Sequence, residues 1–191
     1  MFHVGGATIL LSNRPSDHHN IKYKLLHTVN INGSSSDRSY NCIFHKEDEA
    51  GEEASSLRRT SSKLQPPSSD QTKFVDLFLQ HVGGKFLLNG LHKNLGFDDT
   101  TMGPARMTLY RFGNTSSSSI WYELAYAKAK GRVKKGNRVW QIIFASGFKC
   151  SSVVWRAMST VNRDEMNPWT NEINGFPVDA DCVNGPRPIY V

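Results

Sequence analysis

The chain has 191 residues, 38% of them hydrophobic and 10% aromatic, with a net charge of +6. That is enough length and apolar content for one domain with a core, and it excludes a wholly disordered chain. Three widely spaced cysteines, Cys42, Cys150 and Cys182, with no CxxC pair, fit neither a disulfide framework nor a zinc centre, so no metal is expected.

The opening MFHVGGATILLSNRP lacks a signal peptide's basic start and cleavage site, and no apolar run is long enough to span a membrane. Composition alone therefore reads as a soluble protein of a reducing compartment, with the sequons at Asn32 and Asn114 unglycosylated. Charge is unevenly spread. Five acids fall within 47–53, and six cations with no acid fall within 128–138: Lys128, Lys130, Arg132, Lys134, Lys135 and Arg138. The cationic run reads first as a solvated helix end favoured by the helix dipole, and second as a phosphate-binding surface. No stacking aromatics interleave it, so nucleic acid is not expected as a partner.

In chain order, Ala7–Leu11, Tyr23–Val29 and Ser39–Phe44 read as strands separated by polar turns. His18 and His19 fall in the first turn without a third ligand at useful spacing. Residues 46–73 contain no aromatic residue but a Pro-Pro pair and many serines and charges, which predicts a disordered linker. Order resumes with an apolar run from Phe74 to Leu79 that ends at His81. HVGG then leads into KFLLNGLHKNLG, where Leu87, Leu88, Leu91 and Leu95 share a helical face and Gly96 stands at the C-cap. Met107, Leu109 and Phe112 suggest a short strand. Gly113 and Asn114 follow, and the Thr115–Ser119 run offers N-caps for a helix with Ile120, Trp121, Leu124 and Ala125 buried. Arg138–Phe144 and Ser151–Met158 read as strands joined by a glycine-containing turn. The tail from about Asn162 reads as irregular. The predicted fold class is α/β. The predicted organisation is a strand-rich segment over 1–45, a linker over 46–73, a main region over 74–160 and an irregular tail over 161–191.

On this reading His81 and Asn114, 33 residues apart, each follow a strand and precede a helix. Functional groups converge at such junctions in α/β sheets, so the two side chains are expected at one sheet edge. Simple capping is the alternative that spacing leaves open.

The stretch ARMTLYRFGNTSSSSIWYELAYAKAKGRVKKGNRVWQIIFASGFKC resembles the C-terminal part of plant 3-ketoacyl-CoA synthases, the condensing enzymes of very-long-chain fatty acid elongation. MFHVGGATILLSNR, KYKLLHTV, DRSYNCIFHKEDEAG and HVGGKFLLNGLHKNL resemble other blocks of that family. The resemblance implies a thiolase-like fold of the chalcone synthase and ketoacyl synthase type. It implies acyl-CoA and malonyl-CoA as substrates and no cofactor. It implies a Cys-His-Asn catalytic set in which His81 and Asn114 match the histidine and asparagine. Gly113, Ser146 and Gly147 are implied beside the substrate. The family cysteine takes the acyl group as a thioester, and the His and Asn donors stabilise the enolate left when malonyl-CoA loses CO₂.

This sequence also departs from the family pattern. The nucleophilic cysteine lies upstream of the matched region, and none of Cys42, Cys150 or Cys182 corresponds to it. Ala145 replaces a glycine of the family's FGSGF turn, and Tyr110 replaces a histidine. The expectations are therefore a synthase by descent at the endoplasmic reticulum membrane, or a truncated, inactive chain that is soluble or pairs with a full-length synthase or a second copy. A type III polyketide synthase-like enzyme is a further alternative, against which the RFGNTSSSS string argues.

Overall fold

A computed structural model describes residues 2–35, 37, 43–47, 53–57, 75–145, 148–162 and 166–179. It is a mixed α/β structure. A four-stranded sheet runs in the order β1 (Tyr23–Asn32), β6 (Lys149–Ala157), β5 (Arg138–Ala145), β4 (Leu77–Gln80). β4 and β5 are parallel, whereas β6 is antiparallel to both β5 and β1. A parallel pair needs a long crossover. Here the crossover is helical: α1 (Lys85–Leu95), α2 (Asp99–Phe112) and α3 (Ser119–Ala129).

All four residues of β4 are buried, as expected of a strand covered on both faces. Leu77 and Leu79 pack with Ile120, Leu124 and Ala127 of α3, together with Val133, Val139 and Ala157. On the opposite face the Phe78 ring lies 4.4 Å from Phe97 and 5.0 Å from Trp140. Gln80 Nε2 on that face lies 3.2 Å from Met102 Sδ of α2. α1 has the expected face, with Leu88 and Leu91 buried, and ends at Gly96 in the left-handed region.

Three expectations are corrected. Met107, Leu109 and Phe112 lie not in a strand but in the last turns of α2. Asp98 accepts the Thr101 N–H at 2.7 Å and starts this helix, and Pro104 sits inside it. The second half of the chain therefore runs strand, three helices, strand, strand. Ala7–Leu11 is not a strand. β6 is already paired on both sides, by β1 and β5, and large apolar side chains of this segment, such as Leu10 at 95% exposed, face outward. Ile43–Glu47 (β2), which runs from the end of the expected Ser39–Phe44 strand into the first two residues of the expected linker, and Glu53–Leu57 (β3), inside that linker, form an antiparallel pair, Ile43 opposite Leu57. Composition hid them, but their five-residue spacing is that of a hairpin connection. The rest of 46–73 lies outside the described residues, as does most of Ser39–Phe44.

The described part of the tail has little regular structure beyond a 3-10 turn at Ile173–Gly175, in line with the irregular course expected, and it is built into the core. Trp169 is completely buried among Met107, Tyr110, Tyr126, Ala129 and Phe176. Its indole N–H donates to Tyr122 O at 2.8 Å. Its ring meets Phe112, Tyr126 and Phe176 edge-on at centroid distances of 4.9–5.0 Å. Arg111 pairs with Glu172 at 2.8 Å, and Lys130 Nζ donates to the carbonyls of Ile173 and Phe176. Part of the basic run is thus structural: Lys130 holds the tail, Arg132 donates to Thr100 O at 3.1 Å, and Lys128 lies over the Tyr23 ring. Replacing Trp169 with alanine is expected to lower unfolding free energy by about 3–5 kcal/mol, the range for a buried aromatic. Urea denaturation followed by circular dichroism measures this, and a tail merely resting on the surface would cost far less.

Candidate active site

His81 directly follows β4. Its backbone N–H donates to Ile142 O on β5 at 2.8 Å, and its carbonyl accepts the Gly83 N–H at 3.0 Å. The ring is half-buried, and desolvation holds its pKa below the ordinary 6.5. At neutral pH the imidazole is therefore uncharged, with one N–H to donate.

Asn114 is reached differently from the expectation. It follows helix α2 rather than a strand, and Gly113 is the C-cap of that helix. Asn114 is 3% exposed, and its Oδ1 accepts the Ser116 N–H at 2.9 Å. This local turn fixes the side chain and makes Nδ2 the end that can donate elsewhere. Ser116 takes a positive φ of 58°, the only non-glycine residue to do so among those described.

The serines do not cap α3 as expected. Ser118 stands at the N-cap without a side-chain capping bond. Instead Ser118 Oγ donates to Thr115 O at 2.8 Å and Ser119 Oγ to Ser116 O at 2.6 Å. Each hydroxyl returns to a carbonyl of its own turn. The result is a 3-10 turn, Ser116–Ser118, running directly into α3. Small side chains are needed because Thr115, Ser118 and Ser119 are all buried.

The N-terminal segment covers this loop. His3 N–H donates to Asn114 O at 2.8 Å, and Phe2 bridges to Asn114 in parallel. Gly113 adopts φ 70°, ψ −162°, a region open essentially to glycine. A Cβ there would lie 2.6 Å from the His3 ring. A Cβ on Gly5 would lie 2.7 Å from the Thr115 methyl. The expected close approach at Gly113 is thus to the His3 imidazole. Sequence reading missed His3. The available signal was the exact repeat of His-Val-Gly-Gly at 3–6 and 81–84.

The structure also joins the two candidate segments. β4 packs against both α2 and α3, the helices on either side of Asn114. Glu123 of α3, completely buried, accepts the backbone N–H of Gln80 through Oε2 at 3.0 Å. Burial pushes its carboxyl pKa well above the ordinary carboxylate range, partly opposed by that hydrogen bond. Ser146 and Gly147 lie outside the described residues, as do Cys42 and Cys182. Cys150 sits in β6, half-buried, and burial raises its thiol pKa. A cleft of about 310 Å³ near Asp76, Phe97, Arg132 and Trp140 lies at the other end of β4 and includes neither His81 nor Asn114. Among the described residues no group of three or more His, Cys, Asp or Glu could hold a metal, and no helix is long and apolar enough to cross a membrane.

Two outcomes follow from this geometry. Gly113→Ala is expected to cost about 1–3 kcal/mol from backbone strain. His3→Ala is expected to relieve part of any added clash, so the pair should be non-additive in a double-mutant cycle read by denaturant midpoints. In a proton NMR titration, the His81 ring should change charge below pH 6.5. Unfolding exposes a histidine that binds its proton more tightly, so this group's contribution to stability falls as pH drops through 6.5 towards the folded value. A His81 titration at or above 6.5 would contradict the desolvated setting.

Comparison with known proteins gives two family matches. Residues 1–65 match the FAE1/Type III polyketide synthase-like protein family, and residues 70–157 match the 3-Oxoacyl-[acyl-carrier-protein (ACP)] synthase III C terminal, a thiolase-like domain. The chain is 43% identical to the probable 3-ketoacyl-CoA synthase 20 of Oryza sativa subsp. japonica, over 96% of this chain and 43% of that protein. It is 42% identical to 3-ketoacyl-CoA synthase 11 of Arabidopsis thaliana, over 96% of this chain and 44% of that protein. A third relative, 3-ketoacyl-CoA synthase 2 of Arabidopsis thaliana, is 40% identical over 93% of this chain and 43% of that protein. The chain thus spans less than half the length of these relatives. With both family matches and identity sustained over nearly its whole length, the chain belongs to the plant 3-ketoacyl-CoA synthase family.

Proposed function

We propose that this chain carries the His–Asn part of a condensing site, with His81 and Asn114 stabilising the enolate formed when malonyl-CoA loses CO₂. The observation that carries this reading is the contact between the end of β4 and α3, which sets the His81 strand against the helix entered through Asn114. In the reaction the bond from C2 to the carboxylate of malonyl-CoA breaks, CO₂ leaves, and its electron pair becomes the enolate. The enolate carbon attacks the carbonyl of a long-chain acyl thioester and expels the thiolate, giving a 3-ketoacyl-CoA two carbons longer. A neutral imidazole N–H and the Asn114 amino group suit the enolate oxygen because each donates a hydrogen bond without giving up its proton.

The thioester requires a thiolate. Cys150 is a poor source, since its surroundings raise the thiol pKa, the reverse of what activates a nucleophile. The reading therefore places the acyl-holding cysteine elsewhere in a whole synthase, at the endoplasmic reticulum membrane facing the cytosol by family resemblance. It leaves these 191 residues inactive in condensation on their own, or active only when paired with a second copy or a full-length synthase.

Incubated with a long-chain acyl-CoA and labelled malonyl-CoA, the purified chain is expected to give no 3-ketoacyl product. Slow release of labelled CO₂ is expected, falling about 10²–10³-fold in His81→Ala or Asn114→Ala, the usual cost of losing one oxyanion donor. CO₂ release untouched by both substitutions would refute the His–Asn assignment. Abundant 3-ketoacyl product that vanishes in these variants would refute inactivity of the chain alone.

A further inference from the structure

We propose that Glu123 is a positioning residue for His81: its carboxyl, carried on α3, fixes the β4 backbone at the residue immediately before that histidine. This rests on reading His81 and Asn114 as the site.

The argument starts from strand geometry. Among the described residues β4 is the last strand of its sheet and pairs only with β5. Successive N–H groups along a strand point to opposite sides. The His81 N–H points to β5, where it meets Ile142 O. The Gln80 N–H therefore points away from β5, to a side where no strand lies among the described residues. A buried backbone N–H left without a partner is costly. Glu123 Oε2 is the acceptor that meets it, at 3.0 Å. The two peptide groups that lead into His81 are thus held from both sides, one by β5 and one by α3.

A carboxyl is an expensive way to fill this position. An apolar side chain would suit a fully buried place facing Leu79 and its neighbours better, because a buried polar group is penalised unless it is hydrogen-bonded. Glu123 Oε1 has no hydrogen-bond partner among the described residues, so the group is not there to complete a polar network. Its single described hydrogen bond is the one beside His81. An amide of the same shape keeps an oxygen acceptor in the place of Oε2. Glu123 also stands four residues into α3, about 6 Å of helical rise from Ser119. The helix that begins at the Asn114 turn is therefore the helix that holds the His81 strand end. A shift of α3 would move both donors together.

The test uses the isotopically labelled 191-residue chain and three variants. Glu123→Gln keeps the acceptor, Glu123→Asp withdraws it by one methylene, and Glu123→Leu removes it. The readouts are the ring resonances and titration midpoint of His81, with His27 on β1 as internal control, alongside melting temperature. Glu123→Gln is expected to leave the His81 ring shifts and titration as in the parent. Glu123→Leu is expected to displace both while His27 stays unchanged, with Glu123→Asp between the two. A residue that only stabilises the fold would lower melting temperature in the Leu variant without moving His81 in the folded state, and that result would overturn the proposal. Equal displacement in Gln and Leu would overturn it as well. Should the Leu variant not fold, the parent and the Asp variant decide. The scalar coupling across the Gln80 N–H to Glu123 carboxyl bond must be present in the parent, and His81 must move in Asp. Absence of either refutes the role. No readout involves substrate, so a chain that processes no malonyl-CoA still gives a clear answer on Glu123.

Discussion

Helix α3 is packed on two flanks, and most of the structure follows from that. Ser119, Ile120, Glu123, Leu124, Tyr126, Ala127 and Ala129 are buried, while Trp121, Tyr122, Ala125 and Lys128 form the partly exposed stripe that remains. A helix buried on both flanks must have a layer against each. β4 and β5 cover one side through Leu77, Leu79 and Val139, while α2 and the tail cover the other through Met107, Tyr110, Trp169 and Phe176. Burial between these layers is also why the Glu123 pKa is raised: water that would stabilise its charge is excluded. Because the helix cannot shift without disturbing both layers, the turn that feeds it, Asn114–Ser118, inherits a fixed position.

That turn is held from outside as well. The N-terminal segment lies along it, with His3 over Gly113 and Gly5 against Thr115. The serine string makes sense in this setting. Between a helix below and a strand-like segment above there is room only for short side chains. Their hydroxyls must then find partners within the turn itself, which Ser118 and Ser119 do. Thr115 Oγ1 is buried with no hydrogen-bond partner among the described residues, a cost of order 1–3 kcal/mol.

Much of this was legible in the sequence, for identifiable reasons. α1 and α3 have clear apolar faces and glycine stops, and β1, β5 and β6 are long and rich in β-branched and aromatic residues. His81 after a strand and Asn114 before a helix could be read from the same local patterns and from the family strings. α2 could not, because Met107, Leu109 and the nearby aromatics alternate as a strand would and Pro104 argues against a helix interior. The start of α2 is marked by Asp98, which caps Thr101, a signal the sequence reading did not use. The irregular course of the tail was legible, but the burial of Trp169 was not, because one tryptophan among polar residues carries little periodicity and only its tertiary partners make it core. The Glu123 contact was invisible for a similar reason. A glutamate on a helix is ordinarily a solvated residue, and its partner is a backbone group 43 positions away.

The burial of Trp169 has a consequence for how the protein is made. Its indole N–H bonds to Tyr122, 47 residues earlier, and Lys130 reaches tail carbonyls 43 and 46 residues later. During synthesis the sheet-facing side of α3 can close only after β5 emerges, and its other side only after Phe176 does. Until then the aromatic surface of Phe112, Tyr126 and their neighbours is exposed on a nascent chain. Such surface is what chaperones bind and what drives misassembly. The interval between translating α3 and translating the tail is thus a period in which that surface is open to such contacts.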